Sequence, residues 1–477
     1  MMYAVYWLKN YDNDRNKHLI YAPNSGDDGY YITEGNLEKG INMAGRLTIT
    51  VPPTNPVWRD PTTGITNPSQ FLDQADIITV EVIENNTAKE IWRGSVKGQS
   101  WDIYKNMTIT CEGTLSFLND ILLPEYNFYW SGVVSHAYDP DEGLSSVNLD
   151  KLKDLIWPGK IMDGLDDLKD GMANAFDNMF GFNKNKPSID DVGTTLDNSL
   201  SDAEDNVDRR CTVYDFIVWV MLIYNTALSI HPIDQRKQFK IGYIDPIFKQ
   251  DKYKINQKTT QYTIAWEAIQ SAVLDVFGGI MFASNWHEDE DGKIVYDDTN
   301  SYLYYYKDPI GTNTQLIQYG ENLLNYSYEI DNTERVSRWY IFGKTKDADD
   351  KEIVVDMSSV NNGLKYVGFE EGVLFGTICR VEYTDLTTPL ELYNYGMEKL
   401  RKSIMNAYTI TVDAVDLHIL DDTIDAFEPG KTARLVISND MYTEHIDDLL
   451  LESVDIDLLN PANTTFTFTK IGGDVSD

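Results

Sequence analysis

The sequence predicts an α+β chain that is mainly β: two small β-barrel-like modules, a mixed α/β lateral domain and an acidic inserted segment. Three observations predict it. Short alternating runs fill the first 111 residues and return in the last third. The apolar period changes from two to three-and-four at Thr114. Residues 136–209 hold 17 acids against 7 basic residues, with many Gly, Asn and Ser, which no compact core absorbs as a loop. A chain of 477 residues is also too long for one ordinary core. The expected division is 1–113 for the first module, 114–320 for the lateral domain, with the insertion at about 136–209, and 321–477 for the second module.

In the first module, "RLTITVPPTNP" sets Leu47, Ile49 and Val51 on one face before Pro52 and Pro53 stop the run. "IITVEVIENNTAKEIWRG" reads as two strands about an Asn-Asn turn, with Ile78, Val80 and Val82 inward. "NMTITC" places Met107, Ile109 and Cys111 on one face and Thr108 and Thr110 on the other. From Thr114, Leu115, Leu118 and Leu122, with Phe117 and Ile121 beside them, take the spacing of a helix. Glu112 then suits the positive end of that helix, and Gly113 lets the chain turn into it.

Beyond the insertion, "TVYDFIVWVMLIYNTALSI" is apolar nearly all round, the mark of a buried helix. "YTIAWEAIQSAVLDVFGGIMF" puts Trp266, Ile269, Val273 and Val276 on one stripe, and Gly278-Gly279 ends the helix. A hairpin with Asp291-Gly292 in its turn follows. In "TTPLELYNYGMEKLRKSI", Thr387 or Thr388 caps a helix with Pro389 in its first turn. Leu390, Tyr393, Met397, Leu400 and Ile404 form its stripe, and Lys399, Arg401 and Lys402 favour its negative end. "YTITVDAV", "TARLVIS" and "TTFTFTK" then alternate like barrel or sandwich strands.

Composition narrows the function. With 76 acids against 40 Lys plus Arg, a net charge of −36, the chain does not wrap nucleic acid, whose affinity rests on cations displacing counterions. Such a surface is soluble, and it repels DNA that must pass without sticking. Cys111, Cys211 and Cys379 have no close spacing, so neither a disulfide framework nor a zinc site follows; this fits a chain made in a reducing cytosol. "MMYAVYWLKNYDND" lacks the basic start of a signal peptide, and the longest apolar run, Phe216 to Tyr224, is too short to span a bilayer. Within the insertion, Leu165, Leu168, Met172, Phe176 and Met179 recur at helical spacing. That stripe is expected to cover a neighbouring surface of the same assembly, because acidic flanks oppose contact with lipid.

Two clusters invite a catalytic reading. In "TITCEGTLSFLND", Cys111 could be a nucleophile if a histidine activated it, but His18, His136, His231, His287, His418 and His445 are scattered. Because Cys111 continues the inward face of Met107 and Ile109, it is expected to be a buried, inert thiol. "WHEDEDG", Trp286 to Gly292, lacks the alternating ligand positions of a calcium loop and reads as a solvated hairpin tip. No G-x-S-x-G, H-E-x-x-H or G-x-x-x-x-G-K-[ST] occurs. No catalytic, cofactor-binding or metal residue is therefore assigned, and no cofactor is expected.

"ITCEGTLSFLNDILLPEYNF" resembles a recurring segment of the tail-associated, baseplate-hub proteins of long-tailed bacteriophages, a family related to prophage tail endopeptidases. In the same order, "EIWRGSVKGQSWDIYKNM" is similar to that family's Trp-Arg-Gly strand pair, and "KQFKIGYID" to its Phe-x-x-Gly strand. "YTIAWEAIQSAVLDVFGGIMF" resembles its tryptophan helix, and "LIQYGENLLNYSYEIDNTE" its Gly-x-Asn-Leu segment. "TDLTTPLELYNYGMEKL" and the strands through "TTFTFTKIG" resemble its close. The match covers about 1–130 and 211–473 and leaves the insertion unexplained. Where many relatives carry His-Asn, this chain has Tyr224-Asn225, so no role for that histidine carries over.

The resemblance implies a homotrimeric ring that adapts a sixfold tail tube to threefold tip components. It implies docking on a hexameric distal tail protein, with tail fibre, spike or receptor-binding proteins below and the tape measure and DNA passing through. It implies a place at the virion tail tip after assembly in the host cytoplasm, without stable membrane insertion or sequence-specific nucleic-acid binding. Since "GGDVSD" follows directly on the last motif, no peptidase domain is expected. A tail-borne peptidoglycan hydrolase and a carbohydrate-binding adhesin, the latter suggested by ten Trp and 30 Tyr, are the competing readings. Deleting 138–208 is expected to leave a folded ring, checked by a melting curve and light scattering; a collapsed product would show that the segment belongs to a core.

Overall fold

The computed structural model describes residues 2–8, 17–23, 29–123, 126–127, 212–229 and 237–470, less a few short stretches inside these ranges. The acidic segment 136–209 with its stripe, the hairpin turn at Asp291-Gly292, and Cys211 lie outside the described residues.

The chain is mainly β, and a curled sheet of 13 strands dominates it. The first seven strands are β1 (Met2–Leu8), β2 (Lys17–Tyr21), β3 (Glu34–Gly40), β4 (Arg46–Val51), β5 (Ile77–Glu84), β6 (Thr87–Trp101) and β7 (Met107–Gly113). A second, three-stranded sheet is built from β8 (Phe239–Ile244), β9 (Ile280–Ser284) and β10 (Ser301–Tyr306), with β10 in the middle. The large sheet is completed by β11 (Thr312–Gln318), β12 (Leu323–Ile330), β13 (Tyr408–Ala414), β14 (Thr432–Ser438), β15 (Thr443–Asp457) and β16 (Thr464–Lys470). Its order is β12-β13-β16-β15-β3-β4-β7-β6-β5-β1-β2, with β14 also beside β15 and β11 beside β14.

The alternation read from the sequence decides which face is dry. Leu47, Ile49, Val51, Ile78, Val80, Met107, Ile109 and Cys111 share one core with Val412, Leu435, Leu449, Leu451, Phe466 and Phe468. Strands from both ends of the chain thus bury one continuous apolar surface. The long strand β15 makes this possible. Thr443–Leu450 runs along β14, Leu449–Ile456 along β16, and Ser453–Asp457 along Gly40–Asn36 of β3.

The second core surrounds helix α1 (Val213–Ser229), whose Val213, Phe216, Ile217, Val220, Met221 and Tyr224 are buried, as an all-round apolar helix requires. A second helical stretch begins as α2 (Ala265–Ile269), continues through a π turn (Gln270–Leu274) and ends as α3 (Asp275–Phe277). The third, smaller core lies where α4 (Pro389–Asn406) packs on the strands Arg338–Lys346 and Tyr366–Gly368, burying Ile341, Val367, Leu392 and Leu400.

Four local expectations are corrected. The helix foreseen from Thr114 is a 3-10 segment, Thr114–Asp120, burying Leu115, Phe117 and Leu118. Leu122 instead lies in a two-residue strand with Leu123, 53% exposed, pairing with Thr263–Ile264; the following Pro124 biases its neighbour toward extended backbone. Gly113 needs no special turn conformation: it is the last residue of β7, directly before the 3-10 segment, and its φ of −70° and ψ of −179° are extended backbone that any residue adopts. A Cβ there would overlap the Ala44 carbonyl oxygen, so the glycine is required by close approach.

In α2 and α3 the π turn rotates the pattern, burying Ala265, Ala268, Ala272 and Leu274 beside Ile269 and Val273, while Trp266 and Val276 are only half-buried. Gly278, at φ 63°, and Gly279, at φ 99°, end the helix as expected. On α4 the buried line is Leu392, Gly396 and Leu400, with Leu390 41% exposed and Tyr393 and Met397 half-buried. Gly396 sets this face, because a Cβ would sit 2.9 Å from Val367 and 3.1 Å from Ile341. Thr388 caps the helix in a reciprocal box: its Oγ1 donates to Glu391 Oε2 at 2.6 Å, and Glu391 N donates to Thr388 Oγ1 at 3.4 Å.

Replacing Gly113 with Ala should destabilise the protein by about 3 kcal/mol, an overpacking against backbone that cannot yield. Gly98→Ala, whose Cβ meets only Thr110 at 3.8 Å, should stay within about 0.5 kcal/mol. Urea midpoints of the two variants check the contrast.

Candidate assembly surface

Cys111 has no exposed surface, and burial pushes its thiol well above the ordinary value. A thiol held in its protonated form is a poor nucleophile. Cys379 is exposed. Of the histidines, His18 lies 5.8 Å from the Trp7 ring, His287 stacks on Tyr302 at 4.6 Å, and His418 Nδ1 contacts the Ile424 carbonyl. His136 and His231 lie outside the described residues, as does the side chain of His445. In "WHEDEDG", Trp286–Glu288 forms a strand against Ile294–Tyr296, and the acids beyond Glu288 fall outside the description. Among the described residues, no three His, Cys, Asp or Glu side chains converge as metal ligands, and no helix is long and apolar enough to cross a membrane.

The motif residues converge on packing instead. Gly94 lies opposite Gly113 in the β6–β7 ladder, which joins Trp-Arg-Gly to Cys-Glu-Gly. Around the indole of Trp92, a Cβ on Gly94 would overlap the ring, one on Gly113 would lie 3.0 Å from Nε1, and one on Gly45 3.4 Å. Three glycines therefore leave room for one tryptophan. Arg93, between them, donates from Nε to Glu90 Oε1 at 2.7 Å, both side chains nearly fully buried.

The other motifs behave alike. Asn225 Nδ2 donates to the Phe239 carbonyl at 2.6 Å, and its Oδ1 accepts from Phe239 N at 3.0 Å, tying α1 to the first residue of β8. Tyr224, beside it, donates to the Lys237 carbonyl at 3.2 Å. Gly242 of Phe-x-x-Gly makes way for the Tyr304 ring. In Gly-x-Asn-Leu, Gly320 adopts φ 83°, while buried Asn322 accepts from Gln318 N at 2.9 Å and donates to the Leu316 carbonyl at 3.1 Å. These are backbone-shaping roles.

Two exposed surfaces stand out among the described residues. Strand β12 is hydrogen-bonded to β13 on one side only; on its other side the described residues offer just the single bridge Leu323–Tyr319. Leu324, Tyr326 and Tyr328 are 58%, 36% and 45% exposed on it. From Asn325 to Ile330 its pairing is regular, and it carries neither Lys nor Pro, the usual means of blunting an edge. The second surface is the β6–β7 tip. Asp102 Oδ1 accepts from Tyr104 N and Asn106 N, each at 2.8 Å, and Lys105 takes φ 66°. That rigid turn presents Ile103, 87% exposed, and Tyr104, 78% exposed.

Comparison with solved structures returns tail proteins among its matches. The chain is similar to the tail protein from Neisseria meningitidis MC58, at 10% identity and a TM-score of 0.49, over 98% of this chain and 97% of that one. It is similar to the 43 kDa tail protein of prophage MuSo2 from Shewanella oneidensis, at 10% identity and a TM-score of 0.48, over 98% and 97%. A prophage tail protein from Listeria monocytogenes EGD-e matches at 10% identity and a TM-score of 0.42, over 98% and 94%. The chain resembles phage tail proteins. No family model and no curated protein sequence matches it.

Sequence reasoning found Cys111 and the motifs but missed both open surfaces. The edge strand had a signal in "LLNYSYEI", where Leu and Tyr alternate with small polar residues and no cation interrupts. Replacing both Tyr326 and Tyr328 with Lys should change unfolding free energy by no more than about 0.5 kcal/mol, since both are substantially exposed. If copies of the chain meet through β12, the same variant loses self-association in light scattering; unchanged association would remove β12 as a contact.

Proposed function

We propose that this protein is a structural tail-tip, or baseplate, hub of a phage or phage-like particle. In this reading three copies form a ring that docks on a hexameric distal tail protein, carries fibre, spike or receptor-binding proteins below, and lets tape measure and DNA pass. The chain divides for this purpose into 1–113, 114–320 and 321–477, and it performs no catalysis. The observation that carries the reading is the ordered run of motifs, whose residues make backbone-shaping contacts in both sheets, together with a regular, cation-free edge of the large sheet left open among the described residues. Unlike surfaces meeting head to tail close into rings, and an open strand edge is a ready surface for such a contact.

Charge fits the same role. Three chains of −36 carry −108 together, the sign suited to conducting a polyanion without holding it. The test is the solution mass of the full chain by light scattering with negative-stain averages. A mass of three chains and threefold views with a central opening is the expected result. A monomer that also fails to assemble when mixed with the distal tail protein would overturn the proposal.

A further inference from the structure

A cleft of about 230 Å³ opens between β3, β6, the end of β9 and the segment 426–429, away from both open surfaces. Its walls include Phe282, Trp286 and Tyr296. Phe282 and Trp286 are half-buried and Tyr296 is 37% exposed, so aromatic surface is left uncovered. Trp286 leans on Tyr304 at 4.9 Å, and Phe282 lies parallel to Tyr304 at 5.0 Å, which fixes both rings.

Two lysines, Lys39 and Lys89, line the same cleft, and both also line a smaller one beside it. Lys89 Nζ sits 5.2 Å over the Tyr296 ring. Lys39 is held below the ordinary lysine value by burial, with Lys89 acting in the same direction and Glu428 and Asp416 against it. Among the described residues no hydrogen bond or ion pair ends on Lys39 Nζ. The acids lining the cleft have cations of their own: Glu90 holds Arg93 at 2.7 Å, and Glu428 holds Lys431 at 2.6 Å. Asn285, 8% exposed, also lines it, and its Nδ2 has no partner among the described residues. A partly desolvated lysine and fixed aromatic faces around one cleft are the features of a small-molecule site.

We propose that this cleft binds a sugar ring bearing a single carboxylate, a uronic acid, with the carboxylate at Lys39 and Lys89 and the ring's C–H face on Trp286 and Tyr296. The volume suits one or two such rings. The net charge of −36 disfavours a polyanion, which is why a single acid group is assigned. The site does not depend on ring assembly, so its failure and the failure of the hub reading are separable.

The test is tryptophan fluorescence and calorimetry of the full chain titrated with glucuronate, glucose and N-acetylaspartate amide. Glucuronate should bind at roughly millimolar affinity, with the other two at least about tenfold weaker. Lys39→Met and Trp286→Ala should each weaken glucuronate by about tenfold or more while melting curves stay cooperative. Trp286→Phe, which keeps a ring against Tyr304, should retain most binding and covers the case of a misfolded alanine variant. Absence of glucuronate binding at roughly 20 mM would overturn the proposal. An equal response to glucose would overturn the carboxylate role, and an equal response to N-acetylaspartate amide would point to an acidic peptide instead.

Discussion

The pairing of β15 with β3 holds the rest of the structure in place. Residues more than 400 positions apart meet there, Ser453 opposite Gly40 through Asp457 opposite Asn36. The contact continues past the strands, with Ile41 N donating to the Glu452 carbonyl at 3.0 Å and Leu458 N to the Gly35 carbonyl at 2.9 Å. Closing so long a loop costs little more than closing one half its length, because the entropy grows only logarithmically. Once closed, two sets of strands become one sheet with one apolar face. A strand of 15 residues is what lets a single element serve three neighbours in succession.

A second junction ties the helices to this frame through electrostatics. The carbonyls ending the α2–π–α3 stretch would otherwise be orphans. Lys402 Nζ donates to the Leu274 carbonyl at 3.0 Å, Lys307 Nζ to that of Phe277 at 2.5 Å, and Tyr305 OH to that of Gly278 at 2.5 Å. Of the basic residues near the end of α4, Lys402 therefore serves another helix, while Arg401 holds buried Glu398 one turn earlier on α4 through two bonds of 3.2 Å. Glu398 in turn occupies the space a side chain at Gly278 would need. A cation at a helix C-terminus meets the negative end of the dipole, here supplied from a different part of the chain.

The motif residues act through geometry rather than through reactivity. Trp92 among Gly45, Gly94 and Gly113, Asn225 on Phe239, and Asn322 in the turn after β11 each satisfy a geometry that few other residues can. Such positions tolerate little change even when exposed chemistry does not, because a buried amide left unpaired or a Cβ forced against a carbonyl costs on the order of 1–3 kcal/mol.

The sequence by itself determined the strands, their dry faces and the burial of Cys111, because alternation is a local property and a period of two places every second side chain on one face. It determined the buried helix α1 and the Thr388 cap for the same reason, all the required residues lying within one or two turns. Only the tertiary structure decided that Gly113 serves close approach rather than a turn, that a π turn rotates the second helical stretch, and that Gly396 chooses the face of α4. It alone decided that β15 joins β3, that β12 is left with an open edge, and that Lys39, Lys89 and Trp286 line one cleft. Each of those depends on which distant surface arrives at a residue, and no local pattern encodes that arrival.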